Sequence, residues 1–132
     1  MNTRPVRCTL GEKRIMAKYA DGFLLCIKKN KLAAYRKLST KAGKLWMEFG
    51  ALEYRECAGD DLKTGYGIPF TKLIKLKPGE TVVFSWIVYK SRKQRDAVNA
   101  KVMKDPRIAG QKDMPFDGKR MIYGGFKSVV DL

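Results

Sequence analysis

Residues 81–103, TVVFSWIVYKSRKQRDAVNAKVM, constrain the fold more than any other stretch. Thr81 to Tyr89 reads as one strand. Val82, Phe84, Trp86 and Val88 fall on one side of it. Val83, Ile87 and Tyr89 fall on the other, where only Ser85 breaks the run. A strand that is apolar on both faces has to be covered on both. Ser91 then opens a helix, with Gln94 placed for a capping box. The helix ends near Lys104, ahead of Asp105-Pro106, because the residue before a proline is pushed away from helical geometry.

The rest of the chain can be arranged around this unit. Tyr19 to Ile27 (YADGFLLCI) predicts a first strand, with Gly22 marking a bulge or a close approach. Lys28 to Lys31 is a charged turn. Leu32 to Phe49 predicts a helix: Leu32, Tyr35, Leu38, Ala42, Leu45, Trp46 and Phe49 share one arc at about 100° per residue. Arg36, Lys37, Lys41 and Lys44 share the opposite one. Gly43 sits at the edge of the apolar arc, where its small size allows close packing, and Gly50 stops the helix. Ala51 to Ala58 predicts a second strand, with Leu52 and Tyr54 on one side and Glu53, Arg55 and Cys57 on the other. Residues 62–79 form an excursion with no single reading; PFTKLIKL within it is either a short helix or an edge strand. Arg120 to Val130 predicts the last strand. Its Gly124-Gly125 pair marks a bulge or a point where something approaches the backbone.

The order is β-α-β, excursion, β-α-β. This is the split-βαβ pattern of a ferredoxin-like βαββαβ subunit, an α+β fold. It predicts a four-stranded antiparallel sheet with two helices on one face. No helix is then left for the other face, and the sheet of a second copy is its simplest cover. The chain is thus expected to be a homodimer. Residues 1–18 show no periodicity and read as a mobile basic extension. Residues 19–132 read as one domain.

Composition removes whole classes of chemistry. The chain has no histidine, so Ser–His–Asp and Cys–His catalysis, histidine metal sites and the usual haem ligand are excluded. Cys8, Cys26 and Cys57 are isolated, with no C-x-x-C pair, which argues against a zinc knuckle or dithiol redox site. No metal or cofactor is expected. The start of the chain lacks an apolar signal-peptide core and no apolar run is long enough to span a bilayer, so a cytoplasmic location is expected. The net charge of +15 points to an anionic partner, but its spread along the chain favours a solvated basic surface. Lys28 to Lys31 and Lys90 to Arg95 are its dense parts.

The segments KAGKLWMEFGALEYREC, TVVFSWIVYKSR, RDAVNAKVMKDPR and KDMPFDGKRMIYGGF resemble the bacterial YbaA-like family of unknown function. The resemblance runs from about Tyr19 to Asp131. It implies membership of the dimeric α+β barrel superfamily, in which the sheet of one subunit faces that of a second. Proteins of that superfamily include cofactor-free monooxygenases, haem-degrading enzymes, lactone isomerases and small-ligand sensors. Their ligands usually lie between the sheet and the helices.

Within the second helix, Arg95 and Asn99 lie one turn apart on the arc centred on Val98. Either they are satisfied structurally, or they meet a ligand carboxylate or carbonyl against an aromatic wall from Trp46, Trp86 or Tyr123. Arg55 is either a salt-bridged strand residue between Glu53 and Glu56 or, if its face of the second strand points into the dimer interior, a ligand contact there. Ser91, Arg92 and Lys93 form a basic helix start that either holds an anion or tolerates the charge. Glu48, Glu53, Glu56, Asp96 and Asp117 are the acid and base candidates, and none makes an evident catalytic pair. The expected function is binding of a small anionic or aromatic ligand in the cleft between sheet and helices. The alternatives are a cofactor-independent monooxygenase or isomerase, and an RNA-binding protein using its basic surface. Catalytic status stays open.

Overall fold

A computed structural model describes residues 17–132. The expected mobile extension therefore lies, apart from Ala17 and Lys18, outside the described residues, as does Cys8. The elements are β1 (Tyr19–Lys28), α1 (Leu32–Glu48), β2 (Glu53–Ala58), α2 (Phe70–Leu73), β3 (Glu80–Tyr89), α3 (Arg92–Lys104) and β4 (Ile122–Lys127). Short 3-10 turns precede α1 and β4. The strands make one sheet in the order β2-β3-β1-β4, antiparallel throughout. This is the ferredoxin-like arrangement that the element order predicts.

Register decides which side chains meet. Tyr19, Asp21, Phe23, Leu25 and Ile27 of β1 pair with Tyr89, Ile87, Ser85, Val83 and Thr81 of β3. Nearly all of these are buried, and Ile87 and Tyr89 form one core with Ala51, Val98 and Val102. That face is the helix-covered one. Tyr54, Glu56 and Ala58 of β2, and Tyr123 and Gly125 of β4, share it by alternation. At the start of β2 it is Ala51 that enters the core, whereas Leu52 is exposed.

Local signals account for the element ends. Gly50 follows α1 at φ 119, a conformation that glycine adopts without a side-chain clash. Ser91 Oγ accepts from the Gln94 backbone N–H at 3.1 Å, as the capping pattern predicts. Gln94 Oε1 in turn accepts from the Lys90 N–H, and its Nε2 donates to the Gly50 carbonyl. One side chain thus ties the start of α3 to the end of α1.

The second sheet face departs from expectation in one respect. The excursion does supply cover: α2 and the residues after it fold back, and Ile74 packs on Cys26 and Val82 with Leu62 and Leu76 beside them. So the chain itself closes one end of that face. The rest stays open, presenting Phe84, Ile122 and Phe126 as exposed residues around half-buried Leu24, Trp86 and Val88. The expected bulge at Gly124-Gly125 is absent. Pairing runs through Gly22↔Gly124 and Asp21↔Gly125 without interruption. Instead Gly125 lies under the ring of Tyr19, where a β-carbon would collide with the phenol.

Candidate functional site

Two polar clusters occupy the layer between helices and sheet. The first is centred on Asp21, a carboxylate in the middle of an apolar strand face and only 1% exposed. Arg95 reaches it from α3: Nη1 donates to Asp21 Oδ1 at 3.1 Å and to the Tyr123 hydroxyl at 3.2 Å, while Nη2 donates to the Tyr19 hydroxyl at 3.3 Å. The guanidinium also lies over the Tyr19 ring, 4.8 Å from its centroid. Its Nε sits 2.9 Å from Asp96 Oδ1, in an ion pair rather than an aligned hydrogen bond. Asn99, one turn further along α3, accepts at Oδ1 from Trp46 Nε1 at 3.0 Å and from the Tyr89 hydroxyl at 3.2 Å. Burial pushes Asp21 above the ordinary carboxylate range, against the pull of Arg95, Asn99 and Tyr89. Burial and the Asp21 charge push the Tyr89 phenol up, so it remains a donor.

The second cluster lies toward the β2 edge. Tyr35 and Ser39 are one turn apart on α1; Tyr54 and Glu56 alternate on the same face of β2. All converge on the Glu56 carboxylate. Tyr35 donates to Oε1 at 2.8 Å, and Ser39 and Tyr54 reach Oε2 at 2.5 and 3.0 Å. Ser39 and Tyr54 are themselves 2.9 Å apart. Burial, followed by the Glu56 charge, pushes both phenols well above their usual range. Gly43 allows this packing, since a β-carbon there would come within 2.6 Å of the Tyr54 ring. Above the cluster is a cleft of about 660 Å³ between α1 and the sheet. Leu32, Met47, Ala58 and Val83 contribute its apolar lining, and Arg36 and Lys44 stand among its α1 residues.

A third feature is a groove of about 710 Å³ on the outer side of α1, where Arg36, Lys37, Lys41, Lys44 and Arg107 outnumber Glu48. Arg107 is held there by Glu48 and Asp105, and its hydrogen bonds lower the pKa of the Asp105 carboxyl to about 2.

Of the residues singled out in the sequence, Arg95, Asn99, Trp46 and Tyr123 do come together. They form two pairs: Arg95 bonds to Tyr123 and to Asp21, and Trp46 bonds to Asn99. Trp86 and Arg55 do not belong with them. Both project from the opposite sheet face, where Trp86 Nε1 donates to Glu53 at 2.6 Å and Arg55 lies 3.7 Å from the same carboxylate. The alternation of β3 and β2 puts them there. At the start of α3, Ser91 is buried and its oxygen is taken by the cap, while Arg92 and Lys93 are exposed and Arg92 leans toward Asp96.

The sequence does not single out Tyr19, Asp21 and Tyr89 as site residues, and it offers Glu56 as an acid–base candidate without its partners Tyr35, Ser39 and Tyr54. The usable signals were Asp21 interrupting an apolar strand face and Ser39 within the apolar arc of α1. Among the described residues no helix is long and apolar enough to cross a membrane. No group of three or more potential metal ligands occurs among them.

The fold and both clusters define a ferredoxin-like α+β protein with a cleft between helix and sheet. The profile of the family described as "Protein of unknown function (DUF1428)" matches residues 18–118, and the chain belongs to this family. It is 49% identical over 115 residues to the uncharacterized protein YbaA of Escherichia coli K12, covering 86% of this chain and 98% of that one. The Shigella flexneri YbaA matches equally, with 49% identity over the same length. A crystal structure of a dimeric ferredoxin-like protein from an uncultured marine organism superposes with a TM-score of 0.54. It covers 88% of this chain and 99% of its own at 12% identity, a likeness of fold.

Proposed function

We propose that the chain is a homodimer that binds a small molecule in the cleft between α1 and the sheet. The cleft carries the reading. Its volume of about 660 Å³, its apolar walls and its four convergent polar groups match the general anatomy of a small-molecule site. Tyrosines shifted by burial and by a specific carboxylate add a feature common at functional sites. A fragment screen by two-dimensional amide NMR tests it. Binders should move the resonances of Tyr35, Ser39, Tyr54 and Glu56; binders that move only other residues sink the reading.

The dimer rests on the open sheet face. Phe84, Ile122 and Phe126 stand exposed around Trp86, a contiguous apolar surface of the kind that marks an interface. The marine structure with this fold is described as dimeric, which agrees. Light scattering should give a dimer mass at micromolar concentration. Phe126→Glu should give a monomer with an unchanged circular dichroism spectrum.

A second reading concerns the basic groove. Among the described residues, Arg36, Lys37, Lys41 and Lys44 have no acidic partner within salt-bridge distance, which favours a polyanion such as RNA on that side. A gel shift with single-stranded RNA that weakens steeply with salt would support it. Absence of a shift at low salt would remove it.

A further inference from the structure

We infer that the cleft takes a small zwitterion, with a protonated nitrogen directed inward to Glu56 and an anionic group directed outward to Arg36 and Lys44. The inference rests on the cleft reading above and names its ligand class.

The floor supplies the first half of the argument. Glu56 is half-buried, and its partners are three hydroxyls: one on Oε1 and two on Oε2. None of these carries charge. No lysine or arginine pairs with Glu56 among the described residues. Among the described residues, then, no cation in direct contact offsets the charge of this part-buried carboxylate. It also has capacity to spare. A carboxylate offers about four acceptor positions, and three are used; the open one is on Oε1. A ligand ammonium would fill that position and neutralise the charge. The Tyr35 and Tyr54 rings beside it offer the aromatic company that cations favour.

The rim supplies the second half. Arg36 and Lys44 are exposed and lack acidic partners among the described residues. A simple cation would have to pass them on a chain of net charge +15. A simple anion would be drawn to the rim but repelled by Glu56 at the floor. Each sign alone meets one repulsive element, and such elements are how sites reject wrong ligands. A molecule with both signs meets neither.

Three probes separate the cases: benzoate, benzylamine and para-aminomethylbenzoate, titrated at low ionic strength with amide NMR as readout. Para-aminomethylbenzoate should shift Tyr35, Ser39, Tyr54 and Glu56 and bind about tenfold tighter than either other probe. Glu56→Gln should abolish its advantage over benzoate. The surface double variant Arg36→Gln/Lys44→Gln, which touches no core contact, should abolish its advantage over benzylamine. If benzoate or benzylamine occupies the cleft as tightly as the zwitterion, the ligand class is wrong and the cleft survives. If the probes shift only residues elsewhere, the cleft reading falls as well. No binding by para-aminomethylbenzoate, or affinity unchanged in both variants, also overturns the inference.

Discussion

The two polar clusters share one face of one sheet and are built from the same parts: a strand carboxylate, tyrosines and helix side chains. They differ in how their charge is resolved. Asp21 has a guanidinium in direct contact, and Tyr19, Tyr123, Tyr89 and Asn99 complete the set. Glu56 has only hydroxyls and sits beneath a cleft. A closed, neutralised network holds elements together: here it links β1, β3, β4, α1 and α3. An unneutralised one beside a cleft is a place for something to arrive. On the proposed reading, similar residue types serve opposite roles, and the deciding variable is whether a cation is already present.

The largest expected effect comes from the closed network. Arg95→Met leaves Asp21 buried without its partner and should destabilise the fold by about 3–5 kcal/mol in urea unfolding. Glu56→Gln loses at most a hydroxyl hydrogen bond or two and should cost about 1 kcal/mol. Equal costs would break the distinction. Next come the two glycines that lie under tyrosine rings. Gly43→Ala pushes on Tyr54 and Gly125→Ala on Tyr19; overpacking of this kind costs about 1–3 kcal/mol in each case. Only Gly43→Ala should also change binding in the cleft, measured by the same NMR titrations.

The last comparison is in pH dependence, and its sign differs between sites. Asp21 should titrate above its ordinary 3.8, because burial disfavours its charged form. Its contribution to stability is full below 3.8 and is lost as pH rises through the raised value. Glu80 goes the other way. Hydrogen bonds from Arg120 and then from the Lys77 N–H lower it from 4.5 to about 2, so its contribution is present above 4.5 and is lost as pH falls toward 2. Carboxyl-detected NMR titration checks both directions.

The sheet, the two long helices and their caps were legible because each is a local pattern. Alternation in residues 81–89, the apolar arc of residues 32–49 and the Ser91–Gln94 cap all lie within a few turns of chain. Arg95 and Asn99 were legible as a polar pair on a packing arc, but not their use, because Asp21 is 74 residues from Arg95 in sequence. Only the β1–β3 register and the seating of α3 bring those residues together. Most of the Glu56 quartet was hidden for the same reason, since two of its three donors come from a helix 17 and 21 residues upstream. Trp86 was placed with the wrong group because aromatic character says nothing about which sheet face a strand presents to the helices. The excursion was opaque because its helix spans just four residues and its packing depends mainly on Ile74.

The chain has two tryptophans, and the sheet separates them. Trp46 sits on the helix side, hydrogen-bonded to Asn99 and tilted against Tyr54 at 6.0 Å, so its indole touches both polar clusters. Trp86 sits on the open side, bonded to Glu53 and packed on Phe84 at 5.3 Å. Nature has thus provided two intrinsic fluorophores in separate compartments. With Trp86→Phe the remaining emission should respond to a ligand in the proposed cleft, through Tyr54; with Trp46→Phe it should respond to the proposed subunit association. The two events can then be followed independently in the same unlabelled protein.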